Sequence, residues 1–501
     1  MVSLKSFIAE VLDSSQEAEK TAPAGPVAGS GPQIPEGARL IPREEHAISR
    51  RQISEPALQV LNGLHRAGYQ AYLVGGSVRD LLLGREPKDF DVCTDARPEE
   101  VRKLFRRNAR LIGRRFILAH VQIGREIIEV ATFRGDGGTA SGSAERSATG
   151  RILSDNVYGS FQEDARRRDF TANALYYSIA SRSIIDFSTG WDDLRATRLR
   201  MIGDPEERFR EDPVRMLRAI RFSAKLGFQI DEGVALGMAP CRKLLSEVPP
   251  ARLYEEILKL FMAGFAQQSF ELLRRYQLFD ILFPRLEPLL EQPDQQAARE
   301  LVSLALKGTD ERLAAGKTVN PAFLFAALLW PVLQQEKTRI MTEDRPESLA
   351  LQIAASTLLE GHHMQVSIPR RFTLAMRQIW DMQIRFSRRG GRRPYALLAQ
   401  PGFRAAYDFL ILRQQAGELP GTLGDWWTRF QAAGSEERRA LIEQAREEDH
   451  ATEPTLGPLS GKAGRSRRPR RRRGRNRRDG ASRAAIFPDR ENPAGDSSTD
   501  G

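Results

Sequence analysis

In the first half of the chain, apolar positions recur with two different periods. Leu58, Leu61 and Leu64 fall on one face at helical spacing, whereas short apolar runs further on follow the pattern of strands. Gly124-Arg125 separates two such runs and predicts the turn of a hairpin. The pattern predicts a helix, a strand, a helix, a strand, a helix and a two-stranded hairpin, over 56–67, 71–74, 77–83, 89–94, 98–106, 117–123 and 126–133.

Beyond about residue 204 the strand pattern disappears, and the chain to about residue 448 predicts successive amphipathic helices. The longest apolar run is AFLFAALLW, over 322–330, and Pro331 closes it. A run of this length cannot cross a bilayer core of about 30 Å, so we expect a buried helix. The N-terminus, MVSLKSFIAEVL, lacks the features of a signal peptide. We therefore expect neither a transmembrane segment nor secretion.

Two segments have the composition of linkers. Residues 21–38 are rich in Pro, Gly and Ala and predict a disordered linker after a short amphipathic helix. Residues 135–150 are rich in Gly, Ser and Ala and predict a mobile insertion. The predicted fold class is α+β, with a small mixed α/β head, an elongated all-α neck and body, and a disordered basic C-terminal tail.

Charge is concentrated at the C-terminal end of the 501-residue chain. The net charge is +11, and residues 465–478 alone contain ten arginines and no acid, which leaves about +1 for the rest. Such a run favours a polyanionic partner, nucleic acid first and anionic lipid second. The two cysteines, Cys93 and Cys241, exclude a disulfide scaffold and a four-cysteine zinc site, and they fit a reducing cytoplasm.

The segment LVGGSVRDLLLGREPKDFDV, over 73–92, contains the first candidate site. A predicted strand runs into Gly75-Gly76, and a predicted helix follows at once. Paired glycines let the backbone approach a ligand closely, and the free N–H groups at a helix start favour phosphate. Arg79 lies in the first turn and could face the same anion. The alternative is an ordinary tight turn between a strand and a helix.

Asp89 and Asp91 stand two apart on the next predicted strand, which puts both carboxylates on one face and Phe90 on the other. Neighbouring carboxylates repel unless a cation lies between them, as in the Mg²⁺ pairs of nucleotidyl transfer. A solvated strand end is the alternative. A Gly-Gly turn thirteen residues before such a pair is more specific than either feature alone.

This segment resembles the first motif of the DNA polymerase β-like nucleotidyltransferases, in particular the class II group of tRNA CCA-adding enzymes and bacterial poly(A) polymerases. Three further motifs follow in the same order: RRDFTANAL over 167–175, GWDDL over 190–194 and EDPVR over 211–215. In the group, the third motif is read as a flexible junction and the fourth as selecting the incoming base. The resemblance covers the chain from about residue 41 to the tail.

The resemblance implies a set of site residues. By this resemblance, Asp89 and Asp91 bind two Mg²⁺ ions. The residues expected to contact the substrate ATP are Gly75, Gly76, Arg79, Arg167, Arg168, Asn173, Asp212, Arg215 and Arg218. A further catalytic carboxylate is expected, and Glu129 and Asp169 are the candidates. Glu129 interrupts an apolar run, so it must be paired or face a ligand. Asp169 is flanked by Arg167 and Arg168, which could be its ion-pair partners, and the resemblance implies that it contacts ribose and triphosphate.

The fourth motif also has a purely structural interpretation. Asp212 followed by Pro213 is typical of a helix N-cap. The spacing of the apolar residues after it predicts a buried stripe of Leu217, Ile220 and Ala224, with Arg215 and Arg218 on another face. Asp212 and Arg215 are one turn apart and could together hydrogen-bond a base edge. The resemblance favours base reading, with capping retained.

Within the group, the stretch LIGRRFILAHV over 111–121 resembles the bacterial poly(A) polymerase branch. None of the six histidines precedes an aspartate, so the HD phosphohydrolase domain of longer CCA-adding enzymes is not expected. The implied activity is template-independent addition of AMP from ATP to RNA 3′ ends by a cytoplasmic enzyme. A CCA-adding nucleotidyltransferase and an inert RNA-binding adaptor are the alternatives.

RNA contacts are expected at two basic segments. RFSRRGGRRPY, over 385–395, could clamp the RNA backbone with Phe386 or Tyr395 stacking on bases, or it could be a solvated helix end. The arginines expected to contact RNA are Arg388, Arg389, Arg392, Arg393, Arg470, Arg471, Arg472 and Arg473.

The tail could also engage an acidic protein or make a peripheral contact with anionic membrane. RNA-degradation or RNA-chaperone proteins are further partners to consider. The implied domains are an N-terminal helix and linker, a nucleotidyltransferase head, a neck with the base-selecting motif, an RNA-binding body and the tail, over 1–40, 41–195, 196–260, 261–455 and 456–501.

Overall fold

The computed structural model of the protein describes residues 36–113, 117–135, 145–146, 152–154, 157–360 and 365–452. The predicted N-terminal helix, most of the first linker and of the 135–150 insertion, and the whole arginine-rich tail lie outside these ranges. The described residues up to Glu447 belong to one compact unit, and those from Glu448 belong to a second.

One mixed sheet of eight strands forms the head. The strands of the described residues are β1 Arg39–Ile41, β2 Ala71–Val74, β3 Asp91–Thr94, β4 Ala109–Ile112, β5 Leu118–Ile123, β6 Glu126–Thr132, β7 Glu145–Arg146, β8 Ile152–Ser154, β9 Leu175–Ser178, β10 Ser183–Asp186, β11 Arg198–Leu199 and β12 Gln229–Ile230. The order in the large sheet is β1-β10-β9-β2-β3-β6-β5-β4. β3 and β6 run parallel, and the other neighbours in it run antiparallel.

The predicted strands and hairpin are confirmed, with two differences. The strand expected from residue 89 begins at Asp91, which is the first residue paired with both neighbours, Val74 of β2 and Glu129 of β6. Strand structure also continues beyond residue 204, because β12 pairs in parallel with β11. The pattern did not reveal β9 and β10, since every one of their residues is buried and no alternation of polar and apolar positions remains.

Helices make up the rest of the described unit, as predicted. They are α1 Glu55–Arg66, α2 Gly76–Leu82, α3 Pro98–Phe105, α4 Phe161–Arg166, α5 Gly190–Arg195, α6 Pro205–Glu211, α7 Val214–Leu226, α8 Glu232–Cys241, α9 Pro250–Phe261, α10 Ala266–Arg275, α11 Phe279–Leu282, α12 Glu287–Glu291, α13 Gln296–Ala314, α14 Pro321–Ile340, α15 Glu347–Glu360, α16 Arg370–Phe386, α17 Arg393–Leu398, α18 Phe403–Gln415, α19 Gly421–Ala432 and α20 Ser435–Thr452.

Helix α14 contains the long apolar run and is buried, as expected, but Pro331 does not end it. The helix continues through this proline to Ile340. Proline inside a helix costs about 3 kcal/mol. Here α14 packs against α13, α15 and α16 and buries nearly all of its middle turns, which offsets that cost. In the described ranges, every helix falls short of the length and apolar character that crossing a membrane requires.

The large sheet has a core on each face. Leu73 and Val92 point to one side and join Val60 of α1, whereas Val74 and Cys93 point to the other and join an aromatic group. This alternation is the two-residue period of a strand. At the end of the sheet where β3 starts, Asp89 is exposed and Asp91 is half-buried.

The second and third motifs pack directly on each other. Gly190 opens α5, and a Cβ at this position would overlap the carbonyl oxygen of Thr171. The Thr171 hydroxyl donates to the buried Asp193 carboxylate at 3.0 Å, and Thr189 donates to the same oxygen at 2.6 Å. The GWDDL segment is thus a tightly packed turn of helix at the base of the head.

We predict that Gly190→Ala lowers the free energy of unfolding by about 1–3 kcal/mol, because the added methyl overpacks this contact. Gly308→Ala is the matched control: no atom lies within 4 Å of a Cβ there, and the position is inside helix α13. Alanine should stabilise that site by about 0.5–1 kcal/mol. Urea denaturation measures both changes, and a Gly190 variant as stable as the wild type would contradict the prediction.

Candidate active site

The Gly75-Gly76 turn joins β2 to α2. Gly75 has φ +76°, a conformation that residues with a Cβ rarely adopt. A Cβ on Gly75 would lie 3.6 Å from Nη1 of Arg168, and a Cβ on Gly76 would lie 3.6 Å from Nη2 of Arg79. The turn is therefore lined by two guanidinium groups, one from the first motif and one from the second.

Arg79 is buried, with 3% of its surface exposed. Its Nε donates to Asp80 at 2.8 Å, and its Nη1 donates to Oδ1 of Asn173 at 2.5 Å. These bonds fix the guanidinium beside the turn and connect the first motif to the second. Both Arg79 and Asn173, expected at the ATP site, are brought together here.

Arg168 is held by a separate pair of partners. Its Nε donates to the Tyr176 hydroxyl at 2.9 Å, and its Nη2 donates to Oδ2 of Asp164 at 3.0 Å. Burial alone would lower the pKa of Arg168, but Tyr176 and Asp164 raise it above its ordinary value. Arg167 lies next to it, and its backbone carbonyl accepts a hydrogen bond from the Arg208 guanidinium.

Asp169 pairs with Arg218 of α7, three residues beyond the fourth motif, instead of with its sequence neighbours. Nε of Arg218 donates to its Oδ2 at 2.8 Å, and the Asn173 side chain and the Phe170 N–H donate to its Oδ1 at 3.2 and 2.8 Å. Burial alone would raise the pKa of Asp169, but the Arg218 charge and these hydrogen bonds lower it to about 2. The expectation that Arg167 or Arg168 could pair with Asp169 is wrong, because the fold turns both side chains to other partners.

The acidic residues meet at the start of β3. Asp91 is the first residue of the strand and lies opposite Glu129 of β6, while Asp89 precedes the strand and is exposed. Burial, then Glu129 and Asp89, raise the pKa of Asp91 to about 6, with Arg168 opposing. Glu129 also lies 3.3 Å from the Nε2 of His120. Of the two candidates for the third carboxylate, Glu129 is the one in register with Asp91.

The carboxylates at the start of β3 fit a cation, although they do not form a complete metal site. Within the described ranges, no three Asp, Glu, His or Cys side chains are grouped closely enough to hold a metal ion. Yet burial, then the carboxylates of Glu129 and Asp89, raise the pKa of Asp91, and the charge of Arg168 offsets this rise only in part. Mg²⁺ commonly uses only one or two protein carboxylates and takes its other ligands from water and substrate phosphates.

The fourth motif lies between α6 and α7. Oδ1 of Asp212 accepts from the Val214 N–H at 3.3 Å, and its Oδ2 accepts from Arg252 of α9 at 2.6 Å. The expectation that Asp212 is the N-cap of the following helix is wrong, because Pro213 occupies the N-cap position of α7. Arg215 donates instead to Glu211 at 2.7 Å and to the Arg208 carbonyl. Asp212 and Arg215 are thus fixed by different partners.

The predicted buried stripe of α7 is confirmed: Leu217, Ile220 and Ala224 are buried. The face with the arginines includes one residue that the sequence reasoning missed, Arg221. Its Nε is buried without a hydrogen-bond partner among the described residues, and burial, then Arg218, lower its pKa.

Arg79, Arg218 and Arg221 all lie over the Phe222 ring, at 5.4, 5.4 and 4.9 Å from its centre. The repeat of arginine at 215, 218 and 221, every three residues of a helix, was the signal available in the sequence. Such a concentration of positive charge suits a polyphosphate.

The basic segment of the body joins α16 to α17. Arg388, Arg392 and Arg393 are exposed, and Arg389 lies over the Trp426 ring at 6.0 Å. Tyr395 is 37% exposed and could stack on a base. The expectation for Phe386 is wrong, because its ring is fully buried against Trp427. The four tail arginines, Arg470 to Arg473, lie outside the described residues.

Comparison with known proteins identifies relatives that match most of the chain. Three family models match: "Poly A polymerase head domain" over 71–200, "Probable RNA and SrmB-binding site of polymerase A" over 227–290 and "Polymerase A arginine-rich C-terminus" over 343–478. The chain is 48% identical over 412 residues to poly(A) polymerase I of Salmonella typhi, covering 81% of this chain and 88% of that protein. It is 46% identical over 426 residues to the Escherichia coli O157:H7 protein of the same name, covering 84% and 91%.

More distant relatives share less of the chain. A CCA-adding enzyme of Lactobacillus helveticus is 36% identical over 248 residues, covering 50% of this chain and 57% of that enzyme. Among solved structures, a Thermotoga maritima CCA-adding enzyme complexed with tRNA is similar with a TM-score of 0.50 at 19% identity, covering 86% of this chain and 89% of that one. A tRNA-processing enzyme in an apo form gives a TM-score of 0.52 at 24% identity, covering 80% and 99%. These structures support the fold.

We predict that Asp91→Asn stabilises the metal-free protein at pH 8 by about 1–3 kcal/mol. The substitution removes a negatively charged carboxylate whose pKa is raised by burial and by two neighbouring carboxylates. The folded protein binds this proton more tightly than the unfolded chain does. The destabilisation of the wild type by the ionised Asp91 therefore disappears as the pH falls from about 6 towards 3.8. The free energies of unfolding of the two proteins converge over that range.

Denaturation in EDTA at pH 8 and pH 5 measures this difference. Asp89→Asn is the control, since Asp89 is exposed and its replacement should change stability by less than about 0.5 kcal/mol. Equal effects of the two substitutions at pH 8 would contradict the prediction.

Proposed function

The chain belongs to the bacterial poly(A) polymerase I family, and from this premise we propose how its residues add AMP from ATP to RNA 3′ ends without a template. The observation that carries the proposal is the hydrogen bond of Arg218 to Asp169, which Asn173 links to Arg79 beside the Gly75-Gly76 turn. This chain of contacts links Arg218 of α7 to residues of the first and second motifs, which supports a shared site for ATP.

We assign the triphosphate to the arginine side of this site. Gly75 and Gly76 allow its close approach, and Arg79, Arg168 and Arg218 oppose its charge. Each of these guanidinium groups already has a carboxylate, amide or hydroxyl partner that fixes its position. Because the donors are oriented before ATP arrives, little ordering is left to do on binding. Asn173 and Asp169 are positioned for the ribose.

We assign the adenine base to the fourth motif. Asp212 offers carboxylate oxygens as acceptors, and Arg215 offers guanidinium donors, so together they can distinguish one base edge from another. Both side chains are fixed by protein partners. A base read by protein groups needs no pairing partner, which accounts for addition without a template.

We assign catalysis to the carboxylates at the start of β3. Asp89 and Asp91 would hold Mg²⁺, which when bound lowers the pKa of the RNA 3′-hydroxyl and offsets charge on the phosphates. Glu129 adds negative charge on the same edge, in register with Asp91. The Arg79, Arg168 and Arg218 charges face the leaving pyrophosphate.

RNA would follow the helical body. The exposed arginines of the segment between α16 and α17 are suited to phosphates, and Tyr395 is suited to stacking on a base. We extend the same role to the tail arginines Arg470 to Arg473, which resemble them in composition.

We expect the purified protein to extend an RNA primer with ATP and not with CTP, and Asp89→Ala to lower the rate by at least about 10³-fold, because one of the two carboxylates at the metal position is lost. Single-nucleotide incorporation with labelled ATP or CTP, on an RNA primer and on a tRNA lacking its terminus, is the measurement. Thermal unfolding of the variant controls for folding. CTP incorporation into the tRNA would favour a CCA-adding enzyme, and an active Asp89→Ala protein would overturn the catalytic assignment.

Replacing Arg388, Arg389, Arg392 and Arg393 together with alanine should weaken primer binding and leave the KM for ATP unchanged, because the positive charge lost lies on the body. The slope of log affinity against log salt should become less steep, by about 0.7 for each phosphate contact removed from a single strand. Replacement of four exposed arginines of the head serves as a charge-matched control: Arg66, Arg102, Arg107 and Arg125. Equal salt slopes for the clamp variant and the wild type would exclude the clamp.

A further inference from the structure

We propose that Arg252 is a positioning residue that sets nucleotide selectivity by orienting the carboxylate of Asp212. The inference rests on the proposed function of Asp212 as the base-reading acceptor. Arg252 lies 40 residues further along the chain, in the first turn of α9, and belongs to none of the four motifs.

The contact between the two side chains is close and charged. Nη2 of Arg252 lies 2.6 Å from Oδ2 of Asp212. The two side chains are 34% and 25% exposed, so the pair is accessible from solvent. A charge-assisted hydrogen bond of this kind fixes both the distance and the plane of the carboxylate.

Asp212 needs an external partner to hold its orientation. The residue sits in extended backbone between α6 and α7, with φ −149° and ψ 98°. Its other contact, from the Val214 N–H to Oδ1, is long at 3.3 Å. Among the described residues, the side chain that donates a hydrogen bond to the Asp212 carboxylate is that of Arg252.

Arg215, which the sequence suggested as the partner of Asp212, is directed elsewhere. Its Nη1 donates to Glu211 and to the Arg208 carbonyl, at 2.7 and 2.8 Å. It can donate to a base, but it does not orient the neighbouring carboxylate. The orientation of Asp212 therefore depends on α9.

Helix α9 is a firm support for this role. Leu253, Ile257 and Leu260 are fully buried in the core of the body and neck. Arg252 emerges at the start of a helix that is anchored along its opposite face. Its guanidinium is therefore positioned before any nucleotide binds.

A carboxylate held in one orientation can distinguish adenine and cytosine from guanine and uracil. A carboxylate accepts hydrogen bonds and donates none, so it attracts the exocyclic amine of adenine or cytosine. The carbonyl oxygen that guanine or uracil presents at the same position is repelled. If the carboxylate can rotate, this directional preference weakens, while the triphosphate still meets Arg79, Arg168 and Arg218.

The test compares Arg252→Ala, Arg252→Lys and Arg274→Ala with the wild type. Arg274 is the matched control, because it forms a similar ion pair, to Glu287 at 2.8 Å, on the neighbouring helix α10. The kcat/KM is measured on one RNA primer with ATP, CTP, GTP and UTP singly. Inhibition by tripolyphosphate reports separately on the phosphate side of the site.

Arg252→Ala should raise the KM for ATP and increase the use of GTP relative to ATP by about tenfold, the scale of one lost hydrogen bond. The inhibition constant of tripolyphosphate should stay within about twofold. Arg252→Lys keeps a positive donor and should restore most of the selectivity, and Arg274→Ala should behave as the wild type does. A general loss of structure would instead raise the tripolyphosphate constant as well.

Asp212→Asn distinguishes the base-reading role of Asp212 from the positioning role of Arg252. If Asp212→Asn leaves the nucleotide preference unchanged, the base-reading role of Asp212 is wrong. If it relaxes the preference but both Arg252 variants keep wild-type selectivity with a normal unfolding temperature, the positioning role of Arg252 is overturned and the proposed function stands.

Discussion

The hydrogen-bonded ion pair between Asp169 and Arg218 is the contact on which the site depends. It joins the segment that enters the sheet through β9 to the helix that begins the neck. Asp169 also accepts from Asn173, and Asn173 in turn accepts from Arg79, so a single chain of bonds extends from α7 to Arg79 beside the glycine turn. Removing one partner of a fully buried pair costs about 3–5 kcal/mol, and the cost here should be smaller because the Arg218 side chain is 33% exposed. Here the loss would also separate the motifs.

Charge in the site is divided between two regions. On one side, Arg79, Arg168 and Arg218 are each neutralised in part by a protein partner and held in place by it. On the other, burial, then the neighbouring carboxylates of Glu129 and Asp89, raise the pKa of Asp91 to about 6 against the opposing charge of Arg168. A phosphate suits the first region and a cation suits the second. Nucleotidyl transfer requires a phosphate site and a cation site side by side. In the metal-free protein, the carboxylates of the cation site lower the stability of the fold.

The helical neck contributes more than a connection. Helix α7 supplies Arg218, which binds Asp169, and α9 supplies Arg252, which binds Asp212. Phe170, next to Asp169, belongs to the hydrophobic core that continues through the neck into the body. Because the same packing holds the second motif and the neck helices, the arginines of α7 keep a constant position relative to the glycine turn.

The sequence by itself determined the features that depend on neighbours in the chain. The glycine turn, the Asp89 and Asp91 pair, the buried stripe of α7 and the hairpin were all predictable, because each is defined by the spacing of a few consecutive residues. The division into a mixed head and a helical remainder followed from the same periods. Only the tertiary structure decided the partners of the charged side chains. Asp169 binds Arg218 and not the adjacent arginines, Asp212 binds Arg252 and not Arg215, and Phe386 is buried instead of available to RNA. Those choices join segments about 40 or more residues apart, and no local pattern encodes which of many similar arginines the packing of distant helices brings into reach.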